Sequence, residues 1–509
     1  MSVALDQSSV VAVVGSGAMG SGIAQIAAAA GHGVLLYDTR AEAVEKAIAA
    51  IRKTFGMLAE KGKMTAADAD AAGKRLQAAG TLAELAEAKL VIEAIVENLD
   101  VKRQLFADLE AVVADDCILA TNTSSISVTA LAAKLKSPER FVGMHFFNPV
   151  PLMALVEVIS GLATDADVAA RIHDTALAWG KAPVHARSTP GFIVNRVARP
   201  YYAEALRVLN EQGAAPETID AVMREAGGFR MGPFELMDLI GHDVNFAVTQ
   251  SVFNAYFNDP RFTPSLVQQE LVNAGFLGRK TGRGFYAYDG GSKPEPASEE
   301  SAQAPAQVTV AGSASFIDAI VSRASAASVR VQRTDAAGSD VARIQCGSAV
   351  LCLTDGRSAT QRAAEENTPE LVLVDLALDY GKATRLAVAA ADQCDATAFR
   401  AVVGFLQAAG FAVSRIDDIP GMVVMRTVAM LANEAADAVN QGVCDAAGAD
   451  IAMQKGVNYP RGPLAWADSI GLDHVQRVLA NLAQVYGEDR YRVSSLIQRK
   501  VWSGKRFHP

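Results

Sequence analysis

Early in the chain, apolar residues fall in short unbroken blocks: VVAVV at 10–14, VLLYD at 34–38, LVIEAI at 90–95, CILATN at 117–122, FVGMHF at 141–146 and LVEVI at 155–159. Blocks of this length, rich in branched residues and mostly separated by stretches of helical spacing, predict strands alternating with helices. That order implies a mainly parallel sheet with right-handed crossovers. From Pro190 the strands stop, and helical spacing broken by Gly and Pro runs to about Tyr288, which predicts a separate all-helical domain. The stretch DGGSKPEPASEESAQAPAQ, 289–307, has almost nothing to bury and reads as a linker.

Beyond the linker the pattern returns. PGFIVNR at 190–196 is rewritten as PGMVVMR at 420–426, and the same offset of 230 holds without a gap from Pro190/Pro420 to Gln268/Gln498. It pairs Gly191/Gly421, Glu204/Glu434, Asp220/Asp450, Gly232/Gly462, Asp238/Asp468 and Gly241/Gly471. Before Pro420, VTVAGSAS at 308–315 echoes VAVVGSGA, and VRVQRTD ending at Asp335 echoes VLLYD. The second half thus reads as a repeat of both domains, with its sheet part shortened and decayed.

Composition narrows the class. Half of the 509 residues are hydrophobic (50%) and 20% are charged, as in ordinary globular chains. A net charge of −9 with no dense Lys/Arg cluster argues against nucleic acid. Cysteines at 117, 346, 352, 394 and 444 form neither a disulfide framework nor a C-x-x-C metal pair. The start MSVALDQSS lacks the features of a signal peptide, and no apolar run approaches the ~20 residues that span a bilayer. A cytoplasmic protein without membrane, metal or nucleic-acid partners is expected.

The block VVAVV ends in GSGAMG, with Gly15, Gly17 and Gly20 spaced G-x-G-x-x-G, and Asp38 closes the next block. Gly15 permits the tight turn, Gly17 lets a pyrophosphate approach the backbone, and Gly20 lets the helix pack closely. Asp38 at the second strand end suits the adenosine ribose and repels a 2′-phosphate, so NAD is favoured over NADP. The echo keeps Gly312 but has Ala314 in place of Gly17, so nucleotide is expected in the first half alone. His145 ends one predicted strand and Glu157 lies within the next, across a loop with two prolines. A dehydrogenase needs a base for the alcohol proton, and a neighbouring carboxylate would orient the imidazole; a core histidine bonded to a backbone carbonyl is the plainer alternative.

GSGAMG, VIEAIVEN, TNTSSIS, HFFNPVP, LVEVI, TPGFIVNR, MGPFELMD and GRKTGRGFY, in that order across 8–288, resemble the motifs of the L-3-hydroxyacyl-coenzyme A dehydrogenases. The resemblance implies an enzyme that oxidises the 3-hydroxyl of an acyl-coenzyme A thioester with NAD. It implies His145 as catalytic base and Glu157 as its partner, with Ser124 and Asn195 completing the site. Cofactor contacts implied are Gly15, Gly17, Met19, Gly20, Asp38, Glu97, Lys102, Asn148 and Lys280, while Thr54 and Lys61 match the region meeting the coenzyme A tail. For each lysine a solvated surface charge is the plainer reading.

The expected fold is therefore an α/β Rossmann-type NAD-binding domain (1–188), an all-α domain (189–288), the linker, a degenerate Rossmann-like segment (308–415) and a second all-α domain (416–509). At the 230 offset His145, Glu157 and Asn195 fall on Asp375, Ala387 and Met425. In the resembling family the helical domain forms the dimer contact, so 416–509 is expected to cover the first helical domain as an internal pseudo-dimer, with a homo-oligomer left open. Two rival readings are a β-hydroxyacid dehydrogenase, which would need a lysine where Asn195 stands, and a non-enzymatic crystallin-like protein. Hydroxybutyryl and hydroxyadipyl thioesters are not distinguished by any residue, nor is a role in fatty acid or phenylacetate breakdown.

Overall fold

The computed structural model describes residues 4–290, 293–334 and 342–509; the echo's Asp335 lies outside them. By packing the chain divides into two compact units. The first runs to Arg196 and takes in Ala438–Val457, and the second comprises Val197–Asp437 with Asn458–Pro509.

In the first unit the apolar blocks become strands: β1 (Val10–Val14), β2 (Val34–Tyr37), β3 (Leu76–Ala78), β4 (Ala88–Glu93), β5 (Ile118–Thr121), β6 (Phe141–Phe146), β7 (Leu155–Ser160) and β8 (Ala182–Arg187). They lie in the order β3-β2-β1-β4-β5-β6-β7-β8. All neighbours are parallel except β6 and β7. Helices such as Ala18–Ala29 and Ala41–Glu60 bury their apolar faces on this sheet, with Ile23, Ile48, Ile51 and Phe55 packed against Val11, Val13 and Leu36. The helix Ala446–Gly456 of the second copy closes on β7 and β8. Gly456 lies close against β7, where a Cβ would sit 2.5 Å from Leu155 Cδ2 and push that side chain aside.

The second unit holds a smaller sheet: β9 (Gln307–Ala311), β10 (Arg330–Thr334), β11 (Arg343–Cys346), β12 (Ala349–Leu353), β13 (Leu371–Val374), β14 (Arg385–Ala390) and β15 (Ala412–Arg415), in the order β10-β9-β11-β12-β13-β14-β15. Its first pair is parallel, as VTVAGSAS and VRVQRT imply. The decay is local. Where the first sheet sets β4 parallel to β1, the second has β11, antiparallel to both neighbours and joined to β12 as a hairpin. From β13 onward the 230 offset holds in three dimensions. Met144 faces Val158 and Val374 faces Val388; Leu155 faces Ala182 and Arg385 faces Ala412.

Helices of both copies pack together in this unit around buried charge. Arg426 donates to Glu204 at 2.7 Å and to the hydroxyls of Tyr486 and Tyr491 at 2.9 and 2.8 Å. Arg261 donates to Glu434 and Asp437. The repeated Asp238 and Asp468 each accept two backbone N–H groups from a trailing segment, Phe285 and Tyr286 in one copy, Phe507 and His508 in the other. The Pro-rich stretch also lies along this unit: Ala297 N–H donates to Thr218, Glu299 N–H to Val413 O, and the Gln407 amide to the carbonyls of Glu299 and Glu300.

Candidate active site

The glycine loop is shaped by contacts that exclude side chains. Gly15 has φ +108°, and a Cβ on Gly20 would stand 1.8 Å from the Gly15 carbonyl oxygen, so the helix Ala18–Ala29 starts hard against the turn. Gly17, its N-cap, has nothing within 4 Å of a Cβ position, leaving open space where a pyrophosphate would meet free N–H groups. Ser16 joins this loop to Asp38, donating from its amide at 2.9 Å and its hydroxyl at 2.8 Å. Burial alone would raise the Asp38 carboxyl, but the Ser16 donors and the Arg40 amide hold it below its usual range. The loop and its acid thus fit a dinucleotide without a 2′-phosphate. Met19 packs against the core beneath the loop.

His145 and Glu157 are directly opposite each other in the antiparallel β6/β7 pair. Both are buried, and His145 Nδ1 lies 2.7 Å from Glu157 Oε2. Glu157 Oε1 accepts the N–H groups of Ile193 and Val194 at 2.9 and 3.0 Å, so the same carboxylate anchors the turn after Pro190. That turn is tight: Gly191 and Phe192 have φ of +76° and +47°. It sets Asn195 so that its amide points at the Ser124 carbonyl, 3.4 Å away. Four segments of the first unit are tied together here: the strands carrying His145 and Glu157, the turn carrying Asn195 and the backbone at Ser124.

Glu97 organises the Ser124 loop. It accepts the Thr123 hydroxyl at 2.5 Å and the amides of Ser124 and Ser125 at 3.0 and 3.2 Å. Burial would raise its carboxyl, but the Thr123 hydroxyl, Lys102 and the Ser124 amide together hold it below its usual value. Lys102 is not a solvated charge: only 1% exposed, it lies 2.5 Å from Glu93 and 3.2 Å from Glu97. Glu93 also accepts the Thr121 hydroxyl at 2.7 Å. Sequence reasoning passed over Glu93 and Ser16, although an acid inside the apolar block LVIEAI and a hydroxyl within the glycine loop are both visible signals. Asn148 is exposed beside the cis bond to Pro149. Lys61 is exposed just past the helix Ala41–Glu60, and Thr54, one to two turns earlier, donates to the Ala50 carbonyl at 2.9 Å. Lys280 belongs to the second unit and pairs with Asp243 at 2.5 Å.

In the second copy Gly312 keeps a positive φ (+77°), but buried Ile317 stands where the loop's third glycine would be. Asp375 follows β13 at the register position of His145 and accepts the N–H groups of Val423, Val424 and Met425 at 3.0, 2.7 and 2.9 Å. Met425 is fully buried.

Comparison with known proteins is consistent along the whole chain. Residues 10–189 match the family described as 3-hydroxyacyl-CoA dehydrogenase, NAD binding domain, and 191–288 and 421–506 each match its C-terminal domain. Residues 351–420 match the 3-hydroxybutyryl-CoA dehydrogenase reduced Rossmann-fold domain. The chain is 48% identical over 491 residues to the 3-hydroxyadipyl-CoA dehydrogenase of Escherichia coli K12, covering 96% of this chain and 97% of that one. A crystal structure of a 3-hydroxybutyryl-CoA dehydrogenase from E. coli K12 superposes with a TM-score of 0.89 at 45% identity, covering 98% of this chain and 100% of the other. A (S)-3-hydroxybutyryl-CoA dehydrogenase from Ralstonia eutropha, 42% identical with a TM-score of 0.53, covers 56% of this chain and 99% of its own.

Proposed function

The chain belongs to the 3-hydroxyacyl-CoA dehydrogenase family and is an NAD-dependent enzyme that oxidises a 3-hydroxyacyl-CoA to the 3-oxoacyl-CoA; from that premise we propose that His145 is its catalytic base and that a (3S)-3-hydroxybutyryl- or 3-hydroxyadipyl-CoA is its substrate. The observation that carries the assignment is the cross-strand pair. With Nδ1 engaged by Glu157 at 2.7 Å, Nε2 of His145 is left to accept the hydroxyl proton. Glu157 fixes the ring and stabilises the imidazolium that forms, and it is itself held by two backbone amides. Ser124 and Asn195 complete the polar rim by positioning the hydroxyl and the thioester carbonyl. NAD, when bound, supplies the hydride acceptor. Gly15, Gly17, Met19 and Gly20 form its cradle, Asp38 holds the ribose, and Asn148 is a further contact. Glu97 and buried Lys102 act by shaping the loop that carries Ser124. Thr54 and Lys61 meet the coenzyme A tail.

The duplicated helices serve, in this reading, as an internal pseudo-dimer. Its support is a set of contacts repeated with the copies exchanged. Arg187 N–H donates to Val443 O at 2.8 Å within the first unit, and Asp417 N–H donates to Gly213 O at 2.9 Å within the second. Arg196 bonds Gln441 at 2.9 Å, and Arg426 bonds Glu211 at 3.2 Å. Five free cysteines, none paired, suit a cytoplasmic setting, and the proposed place is fatty acid or phenylacetate-type catabolism.

Steady-state kinetics with NAD and NADP against 3-hydroxybutyryl-, longer 3-hydroxyacyl- and 3-hydroxyadipyl-CoA test the assignment. The expected result is the highest kcat/KM with NAD and one of the two named thioesters. Preference for NADP, or for a long unbranched chain, would overturn it.

A further inference from the structure

A cavity of about 270 Å³ opens in the second unit between the helices Arg199–Asn210 and His242–Ala255 and the turns Pro260–Phe262 and Asp489–Tyr491. Arg199, Arg207, Arg261 and Arg490 line it, with Thr249 and Gln268, and no carboxylate is among its described lining residues. Two of the arginines are matched elsewhere: Arg207 pairs with Glu488 at 2.7 Å, and Arg261 with Glu434 at 3.1 Å and with Asp437. Among the described residues Arg199 has no ion pair, and Arg490 has only a long one. Arg199, 6% exposed, donates to the Thr249 hydroxyl at 3.2 Å and lies 5.0 Å over the Tyr202 ring, while its Nε has no hydrogen-bond partner. Arg490, also 6% exposed, has an unpartnered Nε whose approach to Glu488 is 3.8 Å, and that carboxylate already serves Arg207.

Two guanidinium groups buried without hydrogen-bonded counter-charge are a net cost to the fold unless an anion completes them. Burial pushes the Arg199 guanidinium below its usual value, the direction expected of a cation lacking a partner. Nor is the cluster a packing feature inherited by both copies. At the 230 offset Arg199, Arg207 and Arg261 correspond to Ala429, Asp437 and Tyr491, and Arg490 to Pro260.

We propose that this cavity binds a phosphate group, with the Arg199 and Arg490 forks as its principal donors and Thr249 and Gln268 beside them. A guanidinium presents parallel N–H donors that match two phosphate oxygens. With a water occupying about 30 Å³, the cavity has room for one tetrahedral group and bridging waters. The site would join the first helical copy, through Arg199, to the second, through Arg490. The inference is independent of the catalytic assignment.

Equilibrium dialysis of radiolabelled inorganic phosphate against the full-length protein, saturated with NADH and at constant ionic strength, tests it. The wild type should bind one more phosphate than Arg199→Met or Arg490→Gln, or bind it at least roughly tenfold more tightly. Thermal melting should show a phosphate-dependent rise over equal-ionic-strength chloride that both variants lose. NADH fluorescence titration establishes that each variant is folded, and if Arg199→Met fails to fold, Arg490→Gln decides. Displacement of the wild-type increment by adenosine 3′,5′-bisphosphate marks a nucleotide phosphate as the ligand, and its persistence marks free phosphate; either supports the site. Identical phosphate binding by wild type and folded variants overturns it.

Discussion

In the first half a carboxylate on β7 holds two amides of the Pro190 turn and a histidine; in the second half a carboxylate one strand over, Asp375, holds the matching amides and no histidine. The comparison separates two demands that coincide in Glu157. Exposed N–H groups at the start of a buried helix must find an acceptor in any copy that folds. A base beside that acceptor is needed only where chemistry occurs. Released from the second demand, the copy met the first from the His145 position and filled the Asn195 position with buried Met425. Gly421 and Met422 keep the left-handed φ of +73° and +56° seen at Gly191 and Phe192, so the backbone motif outlasted its catalytic side chains.

The largest effect is expected at the base. His145→Gln should lower turnover by roughly two to four orders of magnitude while NADH affinity is preserved. Hydride transfer at the wild-type rate in stopped flow would erase the functional contrast between the halves. Next comes the structural dependence of the first half on the second. A chain ending near Asp289 loses the helix that covers β7 and β8 and the partners of Arg261 and Glu204. Breaking buried pairs of this kind costs about 3–5 kcal/mol each. Light scattering should find the truncated chain aggregated or paired with a second copy, and a monomeric, fully active product would sink the pseudo-dimer.

A smaller effect concerns pH. Burial pushes the Asp375 carboxyl up to about 6 in spite of its amide donors. A raised carboxyl contributes stability that is complete below its unfolded value and lost as pH rises through about 6. Glu97 in the first half, held low, behaves oppositely, losing its contribution as the solution is acidified. Asp375→Asn should therefore remove a decline on the order of 3 kcal/mol between about pH 4 and 7, measured as the urea midpoint at each pH. Equal slopes for wild type and variant would mean the amides outweigh burial. The smallest change in cofactor binding is expected of Met425→Asn, which costs stability by burying an amide but restores no second site. With Ala314 and Ile317 in the loop, NADH titration should still find one site per chain, and a second would show that the copy had kept its cradle.

Much of the architecture was legible because it rests on local regularities. Apolar blocks and glycine spacing announced the first sheet and its loop, since both are set by the steric needs of a few neighbouring residues. The gapless offset announced the second half, since a duplicated fold keeps its turns and helix starts wherever packing requires them. What tertiary structure alone decided are the pairings between distant segments. That Lys102 is buried against Glu93, that the carboxylate anchor moved to Asp375, and that Arg199 and Arg490, 291 residues apart, line one cavity all depend on strand register and on which faces close. A sequence states which charges exist, but their cost and their partners are set by burial, and burial is a property of the assembled chain.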